Sequence, residues 1–119
     1  MLFFDTIKRL VDEIPQASGC IMVDRHGDEI ITFAPENDFQ MKLLGAHMVL
    51  IHQKLAAIEK RMETGKHREI FIRTDNIYVI TTQLPDGNYL VLRLSPTPLI
   101  SLSLERLRKA IVDIIEEGR

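Results

Sequence analysis

The amino-acid sequence predicts an α+β domain, in which helices pack on a largely antiparallel sheet. Two blocks of short apolar runs joined by tight turns are separated by one long helix, and strands joined by tight turns pair antiparallel. The connecting segments are short, as expected for one compact domain, here over residues 1–119. The predicted element order is α-β-β-α-β-β-β-α.

The chain opens with a predicted amphipathic helix followed by a hairpin. Residues 5–14 carry apolar side chains at helical spacing, with Asp5 as the N-cap and Pro15 as the residue that ends the helix. Residues 20–24 form an apolar run typical of a strand buried on both faces, and residues 29–34 form the returning strand. The turn between them contains a glycine suited to a positive φ.

Residues 37–65 form a predicted long helix that is apolar on two sides. One stripe, with steps of three and four, is predicted to pack on the sheet: Met41, Leu44, Met48, Ile51, Leu55, Ile58 and Met62. A second set lies near the opposite side: Leu43, Ala46, Val49, Leu50, Ala56 and Ala57. Asn37 and Gln40 are a predicted capping box, and Gly65 is the predicted left-handed stop. Because a surface helix normally needs one apolar stripe, the second set predicts a protein partner.

Three strands and a closing helix are predicted after the long helix. The strands cover residues 69–74, 77–84 and 89–94, and the turns between them are made of Asp, Asn, Pro and Gly. Ser103 is the predicted N-cap of the last helix. The predicted inner face of that helix consists of Leu104, Leu107, Ile111, Ile114 and Ile115.

The composition limits the classes of function. The formal net charge is −2, the pI is near 6.1, and no basic run is interleaved with aromatic residues, which argues against nonspecific binding of nucleic acid. The single cysteine, Cys20, cannot form an internal disulfide, which suits a reducing compartment. The sequence contains neither a secretory signal core nor an apolar run long enough to insert into a membrane. We therefore expect a cytoplasmic protein.

No group of residues in the sequence predicts catalysis or a cofactor. His47 and His52 lie roughly 140° apart around the helix, so they cannot bind one metal ion as an i, i+4 pair does. They are predicted to be polar flanks of a packed helix, and His26 and His67 fall in a turn and a loop. Cys20, in an apolar strand, is predicted to be an inert thiol. We expect no enzyme activity, no cofactor and no metal site.

The most telling parts of the layout are the first hairpin, with Asp24 and Gly27 after its apolar strand, and the later hairpin over residues 77–94. Together with the element order over about residues 5–117, they resemble the roadblock/dynein light chain family. The resemblance implies a five-stranded antiparallel sheet with the long helix on one face and the two terminal helices on the other. It also implies a homodimer in which the third strand and the long helix meet their symmetry mates.

Members of that family regulate or scaffold Ras-like small GTPases, or serve as light-chain adaptors on motors, and they are not enzymes. The resemblance therefore implies a homodimeric partner of a Ras-like small GTPase, with a structural adaptor and a small-molecule sensor domain as the alternatives. The predicted dimer contacts are Leu43, Ala46, Val49, Leu50, Ala57, Ile70 and Ile72. The predicted partner-binding residues, on the solvent flanks of the paired helices, are His47, Gln53, Lys54, Lys60 and Arg61. Exposed lysine and arginine are ordinary on any helix, so a solvated flank without a partner is equally compatible with these residues.

Overall fold

The computed structural model describes residues 2–98 and 100–117, and it contains eight elements in the predicted order. They are α1 (Leu2–Glu13), β1 (Ala17–Val23), β2 (Glu29–Phe33), α2 (Asp38–Met62), β3 (Glu69–Arg73), β4 (Tyr78–Gln83), β5 (Tyr89–Leu94) and α3 (Ile100–Glu117). The predicted α+β class and the order α-β-β-α-β-β-β-α are therefore confirmed. None of the described helices is long and apolar enough to cross a membrane.

The five strands form one antiparallel sheet with the order β2-β1-β5-β4-β3. The pairing of β1 with β5 joins the first hairpin to the last one, so the centre of the sheet comes from the first and last strands of the chain. Cys20 of β1 lies between Phe33 of β2 and Leu92 of β5. The edge strands are β2 and β3. The family resemblance requires the third strand to lie at an edge, since only there can it pair with its symmetry mate, and β3 does lie at an edge.

Helices cover both faces of the sheet. α1 and α3 pack on one face, around a cluster of buried side chains that includes Ile7 and Leu107. α2 packs on the other face, around a second cluster that includes Ile21 and Met48. Neighbouring side chains of a strand point to opposite faces, which keeps the two clusters separate. The predicted division, with the long helix on one face and the terminal helices on the other, is confirmed.

The turn of the first hairpin is built around Asp24. Its Oδ1 accepts hydrogen bonds from the backbone N–H groups of His26 (2.8 Å) and Asp28 (3.0 Å). These two bonds lower the pKa of the Asp24 carboxyl below its ordinary value, and the bond from Asp28 has the larger effect. Gly27 supplies the predicted positive φ, at 85°. The side chain of Gln53 in α2 donates a 3.0 Å hydrogen bond to a carbonyl of this turn, which fixes the turn against the helix.

The face that α2 turns to the sheet differs from the predicted stripe. The buried residues of α2 are Met41, Gly45, Met48, Val49 and His52. The prediction that the three-four stripe is the core face is therefore wrong for its later members, because the side chains left exposed include Ile51, Ile58 and Met62. A stripe that repeats every seven residues drifts by about 20° per heptad on a straight helix. The stripe starts over the sheet and turns away from it.

Gly45 allows a close approach of α2 to the sheet. A Cβ at this position would lie 3.0 Å from Cγ2 of Ile21 and 3.0 Å from Cγ1 of Val23, both on β1. The missing side chain lets the backbone of α2 rest on β1. This contact selects the helix face that is buried.

Two helix starts and one helix end differ from the predicted positions. α1 begins before Asp5 and α3 begins before Ser103, so both side chains lie inside their helices instead of capping them. Asn37 precedes α2, but its side chain makes no capping hydrogen bond. α2 ends at Met62, and its C-cap Glu63 takes a left-handed conformation (φ 56°) two residues before Gly65. Sequence patterns locate helix ends only to within a few residues, since the last turns fray.

Candidate protein-interaction surface

Two strips of α2 outside its buried face carry exposed or half-buried side chains. We call the strip that faces away from the sheet the outward strip; it consists of Leu43, His47, Leu50, Lys54, Ala57 and Arg61. We call the strip on one side of the helix the apolar flank; it consists of Leu44, Ile51, Leu55, Ile58 and Met62. At about 100° per residue, the outward strip lies opposite the buried residues, and the apolar flank lies between the two.

The outward strip mixes apolar and basic side chains. Leu43 and Leu50 are 47% and 55% exposed. His47 is exposed as predicted, and its Nδ1 lies 2.7 Å from the carbonyl oxygen of Leu43. Lys54 and Arg61 are exposed, and neither has a carboxylate within ion-pair distance among the described residues. Predicted dimer contacts and predicted partner-binding residues thus share one face of the helix.

The apolar flank faces the β3 side of the sheet. On the opposite side of α2, Lys42 forms an ion pair with Glu29 of β2 at 3.4 Å, and Gln53 bonds to the β1–β2 turn. That side of the helix therefore faces β2, and α2 lies over β1, β2 and β5. The other side, with Ile51 and Ile58, is left toward β4 and β3. The apolar flank is a row of exposed and half-buried apolar side chains next to the edge of the sheet.

The edge strand β3 adds an unpaired backbone to this surface. Among the described strands it pairs only with β4, in a register that places Ile70 opposite Thr81 and Ile72 opposite Val79. Directly opposite residues share a face, so Ile70 and Ile72 lie on the α2 side of the sheet, where both are half-buried. An unpaired strand edge beside apolar side chains is a template for pairing with another strand.

Four predicted site residues are placed differently from the rest. Val49 is only 2% exposed and packs in the cluster beneath α2, so the prediction that it lies in a dimer interface is wrong. Ala46 is half-buried. Gln53 is exposed but held by the β1–β2 turn, and Lys60 borders a separate cleft. The remaining members of both predicted sets stay predictions.

A cluster of polar rings lies beneath the second half of α2. His52 is 1% exposed; its Nδ1 lies 2.8 Å from Nε2 of His67 and its Nε2 lies 2.9 Å from Oγ1 of Thr81. Nδ1 of His67 lies 2.9 Å from a carboxylate oxygen of Glu59, and Tyr89 packs against the His52 ring. Burial first, and the charge of His67 second, lower the pKa of His52 to about 4. The prediction that His52 is a polar flank is therefore wrong, because it is a neutral core residue that ties α2 to β4.

The other candidate groups are a cleft, the potential metal ligands and Cys20. A cleft of about 600 Å³ opens beside His67 and Tyr89, and a small-molecule sensor function would depend on it. Within the described ranges, no three His, Cys, Asp or Glu side chains are placed to hold a metal ion. Cys20 is fully buried, and burial raises the pKa of its thiol well above the ordinary value.

Comparisons with known proteins find similar structures but no match to the sequence. No protein-family model matches the sequence, and no curated protein sequence matches it. The structure of Myxococcus xanthus MglB has a TM-score of 0.86 at 16% identity, covering 98% of this chain and 96% of that one. A Roadblock/LC7 domain from Streptomyces avermitilis has a TM-score of 0.83 at 10% identity, covering 93% and 92%. MglB in a tetrameric arrangement has a TM-score of 0.73 at 17% identity, covering 97% and 88%.

The fold first defines a class, an antiparallel sheet held between one long helix and two terminal helices. More particularly, it is the fold of Roadblock/LC7 domain proteins and of MglB. The resemblance stated from the sequence is confirmed at the level of fold. The surfaces that this fold exposes here are a helix face and a sheet edge.

Proposed function

We propose that this chain is a non-catalytic, homodimeric regulator or scaffold that binds a Ras-like small GTPase in the cytoplasm. The observation that carries the proposal is the exposed surface of α2, which is apolar toward β3 and mixed apolar and basic away from the sheet. A monomer would leave both strips in water. The proposed function gives each strip a partner. A second copy of the chain covers the apolar flank, and a GTPase binds the outward strip.

The homodimer is supported by the apolar flank and the β3 edge together. Two copies related by a two-fold axis would pair β3 with β3 and pack α2 beside α2, so one contact would cover both features. Ile51, Ile58 and Met62 are 37%, 43% and 65% exposed, and burying them would remove apolar area from water. The predicted contacts Leu43, Leu50 and Ala57 would border this interface from the outward side.

Adjacent substitutions on α2 test the dimer. Sedimentation equilibrium at micromolar concentration is expected to give the wild-type chain twice its mass of 13.7 kDa. Ile51→Asp is expected to keep its circular dichroism and to raise the dissociation constant at least about 30-fold, because it places a charge in the paired flank. Leu50→Asp, one residue away on the outward strip, is expected to have the smaller effect.

Two outcomes would contradict this arrangement. A wild-type chain that sediments only at 13.7 kDa would remove the dimer. Dissociation by Leu50→Asp with an unchanged dimer in Ile51→Asp would show that the outward strip pairs, and would leave the apolar flank for another partner.

Charge reversal on the outward strip tests GTPase binding. The double variant Lys54→Glu, Arg61→Glu is expected to weaken binding of a Ras-like GTPase roughly tenfold at low salt, since two basic side chains that complement an acidic surface become repulsive. Calorimetry at low and high salt measures the change, because exposed charges are screened as salt rises. The dimer is expected to remain intact, since neither side chain lies on the apolar flank.

The matched control carries the same charge change on the other side of the sheet, as Arg106→Glu with Lys109→Glu on α3. We expect GTPase affinity to be unchanged in this control. Pull-downs from lysate loaded with GTP or with GDP separate a GTPase regulator from a structural adaptor, because only the regulator captures its partner in a nucleotide-dependent way. Equal affinity in the wild type and the Lys54, Arg61 variant would move the binding site off the outward strip.

A further inference from the structure

Arg93 of β5 has a guanidinium nitrogen without an acceptor. Its Nη1 is shielded from solvent and makes no hydrogen bond to the part of the chain that the structure describes. Arg93 lies opposite Gly19 of β1 and Val79 of β4, which places its side chain on the α2 face of the sheet. A shielded donor that belongs to a charged group and lacks a partner is costly in a folded protein. An acceptor from a second chain would remove this cost.

Arg93 stands in a cross-strand row that leads to the exposed edge. The row runs from Gly19 through Arg93 and Val79 to Ile72 on β3. Gly19 lies beneath the start of α2, because a Cβ there would be 3.0 Å from Sδ of Met41. Arg93 is therefore placed on the β3 side of the first turns of α2, next to the surface that a second copy would cover.

The carboxylates in and next to α2 differ in whether they already have an ion-pair or hydrogen-bond partner within the monomer. Asp38 forms an ion pair with Lys42 at 3.0 Å, and Glu59 bonds to His67. Glu63, at the end of α2, is exposed and has no ion pair or hydrogen bond among the described residues. Glu63 borders the cleft beside His67, and its carboxylate is the one at the end of α2 without a partner among the described residues.

We propose that Arg93 is one half of an inter-subunit ion pair, completed by the carboxylate of the partner's Glu63. This inference rests on the proposed homodimer. Pairing β3 with β3 antiparallel in one continuous sheet requires a two-fold axis perpendicular to the sheet. Because α2 lies flat on the sheet, the same axis makes the two α2 helices antiparallel, so the end of one α2 lies toward the start of the other. The two-fold symmetry then builds the pair twice. In each monomer the site is incomplete, and the second copy supplies the acceptor that Arg93 lacks.

The proposal predicts opposite effects on the monomer and on the dimer. Arg93→Met keeps an extended apolar side chain and removes the shielded Nη1 that has no acceptor, although Arg93 as a whole is half-buried. The isolated monomer is therefore expected to unfold at the same or a higher urea concentration. The dimer loses a charge-assisted hydrogen bond, and its dissociation constant is expected to rise at least about 30-fold. A residue that only supports the fold would weaken monomer and dimer together.

A double-mutant cycle on the full chain, followed by sedimentation equilibrium, tests the pair. Arg93→Met and Glu63→Gln are each expected to weaken the dimer, and the double variant is expected to be no weaker than Arg93→Met alone, since the two changes remove one interaction. The swap Arg93→Glu with Glu63→Arg is expected to recover part of the affinity that Arg93→Glu loses. Arg9→Met on α1 is the control and is expected to leave the dimer unchanged.

The results separate failure of the pair from failure of the dimer. A wild-type chain that stays monomeric overturns the homodimer and the pair with it, and this is seen before any variant is made. A wild-type dimer whose dissociation constant is unchanged by Arg93→Met overturns the pair alone. Additive losses in the cycle, or a dimer insensitive to Glu63→Gln, show that the acceptor is not Glu63 and also overturn the proposal.

Discussion

Gly45→Leu is expected to lower the free energy of unfolding by about 3 kcal/mol or more, the upper end of the usual cost of overpacking a core. Already the Cβ would approach Ile21 and Val23 to 3.0 Å, and three further carbons would have to enter the space between α2 and β1. The helix would have to move away from the sheet and open contacts along its buried face. Urea denaturation followed by circular dichroism, at one fixed protein concentration, measures the loss.

Two further variants separate this steric effect from helix propensity. Gly45→Ala would gain up to about 1 kcal/mol on an exposed helix, but here the close contacts are expected to cancel that gain. Lys54→Leu puts the same leucine on the outward strip of the same helix and is expected to change stability by less than about 0.5 kcal/mol. A stable Gly45→Leu variant, or a clear gain in Gly45→Ala, would mean that α2 does not rest on β1 at this glycine.

The strands could be predicted from the sequence because their signals are local. Alternating or continuous apolar runs between turn residues define each strand, and β5 was predicted with its observed bounds, Tyr89–Leu94. Gly27 takes the positive φ that its turn requires. Which strand lies at the edge is a property of the whole sheet. It followed from the family resemblance and not from the residues of β3.

The buried face of α2 could not be predicted in the same way. The buried face lies between the two apolar stripes, with Met41 and Met48 from one and Val49 from the other, so periodicity alone does not locate it. Gly45 favours the observed face, because its missing side chain allows a close contact with β1. A glycine inside a helix costs stability in isolation, and that cost is the one sequence signal that could have pointed to a packing role.

The polar cluster beneath α2 was missed for a different reason. His52 and His67 are 15 residues apart in the chain, and they meet only because the loop after α2 folds back beneath the helix. His52 lies at helical spacing from Met41, Gly45 and Met48, which are buried. This spacing is the sequence pattern that indicates a buried position for His52. His52 lies outside the predicted core stripe, which is why the prediction places it on a flank, but it lies on the face that the helix buries.

The second large effect is a loss of stability in acid that depends on His52. Its pKa is about 4 in the folded chain, against 6.5 for the unperturbed side chain, because burial disfavours the imidazolium. Below pH 6.5 the unfolded chain binds a proton that the folded chain rejects, so the free energy of unfolding falls as the pH drops from 6.5 toward 4. The part due to His52 is expected to reach about 3 kcal/mol, and it is absent above pH 6.5.

The variant His52→Gln isolates this contribution, because every other titrating group is shared with the wild type. The wild type is expected to be the more stable of the two at pH 7, where neutral His52 is bonded to His67 and Thr81. Its advantage is expected to shrink by about 3 kcal/mol by pH 4, measured by urea denaturation at several pH values. His47→Gln, at an exposed position of the same helix, is expected to give a difference that does not change with pH. A constant difference between wild type and His52→Gln over this range would mean that His52 is protonated as easily in the folded chain as in the unfolded one, and that the cluster does not hold it neutral.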